Sequence, residues 1–259
     1  MFGVVGVKIA LISDIHANRE ALDAVLAHLG GQGVDRVYCL GDVVGYGPDP
    51  EYCVDVIRSQ CAITLMGNHD EGLFHGAKGF NDHARAALEF TRKRMRPRWF
   101  SARIVKQRWE WLRTLPQRHQ EGRFLFVHGS PRDPVREYVL STDGFLNPTK
   151  LRAIFDAFEG IAFAGHTHHP GTIDGDLRFH GLDGSESFRF DFQPGGQYFV
   201  NVGSVGQPRD GDSRACYAIL DEQGVTWHRV PYDIPTTQMK IRQQTDLHEI
   251  LASRLSMGR

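Results

Sequence analysis

Val7-Lys8-Ile9-Ala10-Leu11-Ile12-Ser13-Asp14-Ile15-His16 is a short apolar run, rich in β-branched residues, that ends in a carboxylate and an imidazole. Such a run reads as a buried strand. Residues 18–30 then space Ala21, Leu22, Val25, Leu26 and Leu29 along one helical face and stop at Gly30-Gly31. Residues 36–40 read as a second strand, 50–59 as a second helix and 61–66 as a third strand. Strands and helices alternating at this spacing predict β-α-β units and a parallel sheet.

Farther along, residues 82–95 and 103–115 read as helices separated by Pro97, 124–127 as a strand, 148–158 as a helix and 161–164 as a strand. The second half changes character. Residues 172–178 carry an Asp-Gly hairpin signal, and 188–192 alternate with period two. Residues 198–202, 215–220 and 225–230 complete a run of short strands, expected to form a β-meander, before a polar helix at 237–255. Neither a Pro/Ser-rich linker nor an internal repeat divides the chain. The expectation is an α/β fold in one domain spanning 1–259, with two sheets packed face to face and helices outside.

Composition limits the function classes. The 259 residues are 41% apolar and 24% charged, with a formal net charge of -1. That balance gives no electrostatic drive toward nucleic acid or anionic membrane. No stretch approaches the ~20 apolar residues that span a bilayer, and the apolar start at residues 1–7 is too short for a signal-peptide core. The four cysteines lack C-x-x-C pairing and read as reduced thiols, so a cytoplasmic protein is expected.

Five segments share one topological position, the loop at the C-terminal end of a predicted strand. They are Ser13-Asp14-Ile15-His16, Gly41-Asp42, Gly67-Asn68-His69-Asp70, Val127-His128-Gly129 and Gly165-His166-Thr167-His168. Ligands of α/β sheets gather in the crevice at those strand ends. Taken singly, each segment has a structural reading as a turn or a solvated loop. Together, in this order, they point to one polar site of nitrogen and oxygen donors. A two-metal centre explains these residue types: paired cations activate a water and offset charge on a phosphoryl group, and a carboxylate with two oxygens can bridge them. Asp42 is the expected bridge. With no cysteine in the cluster, manganese, iron, nickel, cobalt and zinc all suit it.

At these residues the chain resembles the calcineurin-like metallophosphoesterase superfamily. Asn201-Val202-Gly203-Ser204-Val205-Gly206-Gln207-Pro208 is similar to the glycine-serine segment of its small bacterial phosphodiesterase branch. The resemblance implies a four-layer α/β/β/α sandwich of two mixed sheets flanked by helices. It implies two divalent metals, the first held by Asp14, His16, Asp42 and His168, the second by Asp42, Asn68, His128 and His166. Asn68 and His69 would face the substrate, with His69 stabilising the phosphoryl oxygens or protonating the leaving group. The implied reaction is hydrolysis of a phosphodiester or small phosphomonoester by a metal-bridging hydroxide.

One departure bears on the substrate. The serine/threonine protein phosphatases of this superfamily carry an aspartate and an arginine where this chain has Gly45 and Tyr46. That shifts the expectation toward a small-molecule phosphate ester, with protein phosphatase or dinucleoside polyphosphate hydrolase as alternatives. A non-catalytic interaction module on the same fold is the alternative of another class; such scaffolds tend to lack the catalytic histidine, and His69 is present. Asn18 is expected to cap the first helix. Arg19, Arg132, Arg136 and Arg209 have weak claims on substrate phosphate. The basic stretch at 92–108, with Trp99, reads as a solvated face rather than a nucleic-acid surface, though it could overhang the cleft.

Overall fold

The computed structural model describes residues 6–77 and 79–259. The N-terminal stretch at 1–7 thus lies outside the described residues, apart from Gly6 and Val7.

The chain opens as expected, with β1 (Ile9–Ile12), α1 (Arg19–Leu29), β2 (Arg36–Cys39), α2 (Pro50–Gln60) and β3 (Ile63–Thr64). Asn18 caps α1, its side chain accepting from the Ala21 N–H at 3.2 Å. Next come α3 (Asn68–His75), α4 (Asp82–Met95), α5 (Arg103–Arg113), β4 (Arg118–Glu121) and β5 (Phe124–Val127). They are followed by α6 (Asp143–Leu146), α7 (Pro148–Phe155), β6 (Ile161–Ala164), β7 (Gly171–Asp174), β8 (Phe179–Gly181) and β9 (Ser187–Asp191). The last elements are β10 (Tyr198–Asn201), β11 (Ala215–Leu220), β12 (Gly224–Val230), α8 (Ile234–Arg242), α9 (Glu249–Ser253) and a 3₁₀ turn at Arg254–Met257.

Two six-stranded sheets result, ordered β3-β2-β1-β11-β12-β9 and β4-β5-β6-β10-β7-β8. Each has a parallel set (β1, β2 and β3; β5, β6 and β10) extended by antiparallel strands. Side-chain alternation explains the layering. Ile9 and Leu11 join Phe126, Phe163, Val200 and Trp227 between the sheets. Ala10 and Ile12 face the other way and pack under Leu22, Val25, Val54 and Ile57 of α1 and α2. On the outer face of the second sheet, Leu125, Ala162 and Phe199 meet Leu151, Ile154 and Phe155 of α7. The molecule is a four-layer α/β/β/α sandwich. Because every residue of β1 is buried, the run shows no polar alternation.

The expected β-meander is corrected. Consecutive strands after β6 are dealt to both sheets, and only β7–β8 and β11–β12 are adjacent hairpin pairs. The cause is burial: β10 is covered on both faces and sits between β6 and β7, whereas β9 alternates exposed and half-buried residues and takes an edge. The final helix is broken between Arg242 and Glu249, where the His248 side chain accepts from the Ile250 N–H and starts α9 anew. Among the described residues no helix is long and apolar enough to cross a membrane. The four cysteines are free, three of them buried.

Candidate metal centre

The loops after β1, β2, β5 and β6 converge with the N-terminus of α3. Backbone bonds lock the first two loops together: Asp14 N–H to Gly41 O, His16 N–H to Asp42 O and Ala17 N–H to Val43 O, each 3.0 Å. Asp14, His16, Asp42, His166 and His168 all lie in the left-handed region, with φ between 49° and 66°. Such backbone is strained for non-glycine residues and clusters at functional sites. Gly67 matters for a different reason, since a Cβ there would run into the Asp42 carboxylate.

Three groups of side chains offer ligand atoms within 4.8 Å of one another: Asp14, His16 and His168; His16, Asp42 and His69; and Asp42, His128 and His166. All are buried. His16 Nε2 lies 3.1 Å from His168 Nε2, and Asp14 Oδ1 lies 3.2 Å from the latter. Asn68 Oδ1 completes the other side, 3.1 Å from His128 Nε2. Six of the seven residues expected around the metals thus fall in these groups, and Asn68 adjoins them. Asp42 belongs to two groups, but not by spreading its two oxygens. Its Oδ1 accepts from the His69 N–H at 2.8 Å, leaving Oδ2 to face His16 Nε2 at 3.7 Å and His128 Nε2 at 3.4 Å.

Carbonyl acceptors set the tautomers. Nδ1 of His16, His128 and His168 meets the carbonyls of Val44, Leu40 and Gln207 at 3.2, 3.0 and 2.5 Å, so each ring donates there and turns Nε2 inward. His166 is reversed, with Nε2 donating to Arg136 O at 3.0 Å. Carbonyl-held imidazoles of this kind are typical supports of metal-ligating histidine.

Electrostatics show what the donors lack. Burial holds His16 and His168 below the usual histidine range, so two inward lone pairs face each other 3.1 Å apart. Asp42 is held well below the carboxylate range: burial works against its charge, but His128, His69 and His16 outweigh it. His128 is raised to about 9, because Asp42, Asp14 and Asp70 overcome its burial. These buried groups could hold metal, and a donor set of nitrogen and oxygen alone suits divalent transition-metal ions.

His69 is 3% exposed, and its ring is enclosed by Tyr46, Phe80 and His16 at 4.5, 4.8 and 4.9 Å between centroids. Its Nδ1 has no hydrogen-bond partner. Burial pushes it down to about 4, against the opposing pull of Asp42. A nearby carboxylate favours the charged imidazole, but here desolvation outweighs it. Gly45 abuts the ring, and a Cβ there would strike it. A cavity of about 540 Å³ opens beside this group, lined by Asn68, His69, Tyr46, Phe80, Tyr138 and His166.

Asp70 does not support His69. It is fully buried and accepts from the N–H groups of Val43, Val44 and Gly67 at 3.1, 3.2 and 3.0 Å, clamping the Asp42 loop to α3. Burial and Asp42 push it up to about 7. Sequence reasoning missed this role, as it missed Tyr138, whose ring lies 3.8 Å from that of His166. Ser204 and Gly206 hold the Asp14 carbonyl, so the glycine-serine segment braces the centre. Arg132 pairs with Glu137, Arg19 with Asp23, and Arg136 with Glu71 at the cavity. Arg92, Lys93, Arg96 and Arg98 line a separate cleft, so that basic stretch does not overhang the site.

The model of the calcineurin-like phosphoesterase superfamily domain matches residues 7–224. An uncharacterised protein of Methanocaldococcus jannaschii is 34% identical, covering 97% of this chain and 98% of its own. The crystal structure of a metallophosphoesterase from Sphaerobacter thermophilus shares 38% identity over 98% of this chain and 99% of its own, with a TM-score of 0.79. A symmetrical bis(5'-nucleosyl)-tetraphosphatase of Aromatoleum aromaticum is 28% identical over 49% of this chain and 46% of its own. With the ligand-bearing loops inside the matched span, the chain belongs to the calcineurin-like phosphoesterase superfamily.

Proposed function

We propose that this protein hydrolyses a phosphodiester or small phosphomonoester at a dinuclear centre held by Asp14, His16, Asp42, Asn68, His128, His166 and His168. The observation that carries the reading is Asp42 Oδ2, shared between two inward-facing imidazoles with a donor set on either side. Two divalent transition-metal ions there would lower the pKa of the attacking water and offset charge on the phosphoryl oxygens. His69, held neutral by burial, faces the substrate and donates a hydrogen bond to a phosphoryl oxygen; a proton donor would need a higher pKa. Asn68 orients the same group. The substrate is small, because the approach is a concave cavity of about 540 Å³, a volume typical of small-molecule sites. Residues 1–259 act as one domain, in the cytoplasm.

Gly45, pressed against His69, leaves no room for the carboxylate that protein phosphatases place there, which weighs against that activity. Dinucleoside polyphosphate hydrolysis is the second reading, favoured by the half-chain likeness to the tetraphosphatase. The complete donor set weighs against a non-catalytic scaffold. His69→Ala tests the assignment. Turnover of bis(4-nitrophenyl) phosphate is expected to fall by roughly 100-fold or more, while metal analysis still finds about two ions per chain. Unimpaired turnover in that variant sinks the role of His69. Wild-type protein inert with every divalent metal, across monoesters, diesters, dinucleotides and phosphopeptides, sinks the hydrolase reading.

A further inference from the structure

On the His168 side of the centre the chain turns through Gln207-Pro208-Arg209, and a guanidinium stands there without an acid. Arg209 Nη2 donates to Gln207 Oε1 at 2.9 Å and approaches the Tyr46 hydroxyl at 3.4 Å, with Cζ 5.8 Å from the Tyr46 ring centroid. Its Nε is buried without an acceptor. A second guanidinium, Arg254, lies 5.8 Å from the same ring. Its Nε donates to the backbone oxygen of Arg259 at 2.5 Å. Among the described residues neither arginine pairs with an Asp or Glu side chain, although Arg94, Arg108 and Arg136 elsewhere pair with Glu51, Asp55 and Glu71.

Two half-buried like charges on one tyrosine repel, and burial reduces the screening that would relieve them. Burial first, then Arg209, pushes Arg254 below the usual arginine range. A bound anion removes both penalties, since a guanidinium offers a fixed fork of donors to phosphate or carboxylate. The place is next to the reaction. Tyr46 touches His69 and His16 at 4.5 and 4.7 Å between centroids. Tyr46, which Arg209 approaches, lines the cavity together with His69 and Tyr138.

We propose that Arg209, oriented by Gln207 and Tyr46 and reinforced by Arg254, binds a second anionic group of the substrate. The preferred esters then carry a phosphate or carboxylate besides the phosphoryl group that is cleaved. The substrate class rests on the phosphoesterase reading above; the anion subsite itself does not.

The test uses 4-nitrophenyl diesters whose second arm ends in a hydroxyl, a carboxylate or a phosphate. Arg209→Gln is expected to raise KM for an anionic arm by roughly 10- to 100-fold, with kcat and the hydroxyl-arm kinetics held within roughly threefold. Which anionic arm loses more identifies the group that binds. Equal losses on all three arms would overturn the proposal, because Arg209 would then act on the reacting group or the fold. No loss on any arm overturns it as well. Calorimetry with inorganic phosphate provides the independent measurement, with Arg254→Gln as the second variant. If wild-type protein hydrolyses none of the diesters but both variants lose phosphate binding, the subsite stands and the hydrolase reading falls. Phosphate binding unchanged in both variants removes the subsite.

Discussion

Gly45→Ala isolates what holds His69 in place. At Gly45 φ is +94°, and an added Cβ would meet the His69 ring at Nδ1, with Cγ 2.9 Å and Cβ 3.3 Å away. Two costs follow. A non-glycine residue in that backbone region costs about 1–3 kcal/mol. The ring, enclosed by Tyr46, Phe80 and His16, has to repack at about 1–3 kcal/mol more. The sum, about 2–6 kcal/mol, should lower Tm by roughly 5–15 °C for a chain of this size. A side chain misplaced by about 1 Å costs on the order of 100-fold in turnover. The assay is hydrolysis of bis(4-nitrophenyl) phosphate beside thermal melts and metal analysis. Gly33→Ala is the control: φ there is +63°, but nothing lies within 4 Å of the added Cβ. It should cost about 1 kcal/mol, from backbone alone, and keep full activity. If Gly45→Ala behaves like Gly33→Ala, His69 is not confined by Gly45 and the argument from contact fails.

Two further perturbations reach other parts of the structure. Asp70→Asn keeps one acceptor oxygen but turns an NH₂ toward a backbone N–H, orphaning at least one of the three donors of Val43, Val44 and Gly67. A loss of about 1–3 kcal/mol in stability is expected, with roughly 10- to 100-fold weaker metal binding through the loosened Asp42 loop. Wild-type metal titrations in the variant would remove Asp70 as a clamp. His228, stacked on Tyr217, is pushed down to about 4 by burial and then by His28. The unfolded chain takes up a proton near 6.5 that the native state resists, so the unfolded state binds more protons between pH 6.5 and 4. Stability contributed by this group is complete above that window and is lost as pH falls through it. Melts of His228→Phe should therefore show a shallower acid limb than wild type; parallel limbs would refute the assignment.

The parts legible in the sequence share a physical cause. Residues 9–12 and 161–164 are covered on both faces, so their strands appear as unbroken apolar runs, and the polar residues that end each run mark the ligand loops. The illegible parts lack a local signal. β4 is Arg-His-Gln-Glu, an edge strand that gets its order from pairing with β5 rather than from an apolar face. In α3, Asn68 and His69 open the first turn directly, and Leu73 is the one aliphatic side chain it buries. The distribution of β7 to β12 between two sheets is set by long-range pairing, which hydrophobic period does not encode.

The role of Asp42 shows the limit most clearly. From residue type, a carboxylate bridges by using both oxygens. In the folded chain the His69 N–H occupies Oδ1, so one oxygen alone faces both imidazoles. That single bond ties the Asp42 carboxylate to the first turn of α3: the His69 backbone cannot shift along the helix without releasing it. The ligand loops are fixed by similar means. Their left-handed residues are strained individually, yet the bonds from Asp14, His16 and Ala17 to Gly41, Asp42 and Val43 over-determine the conformation. These restraints come from the backbone and from Asp70, so the convergence of the loops is built into hydrogen bonds of the chain itself.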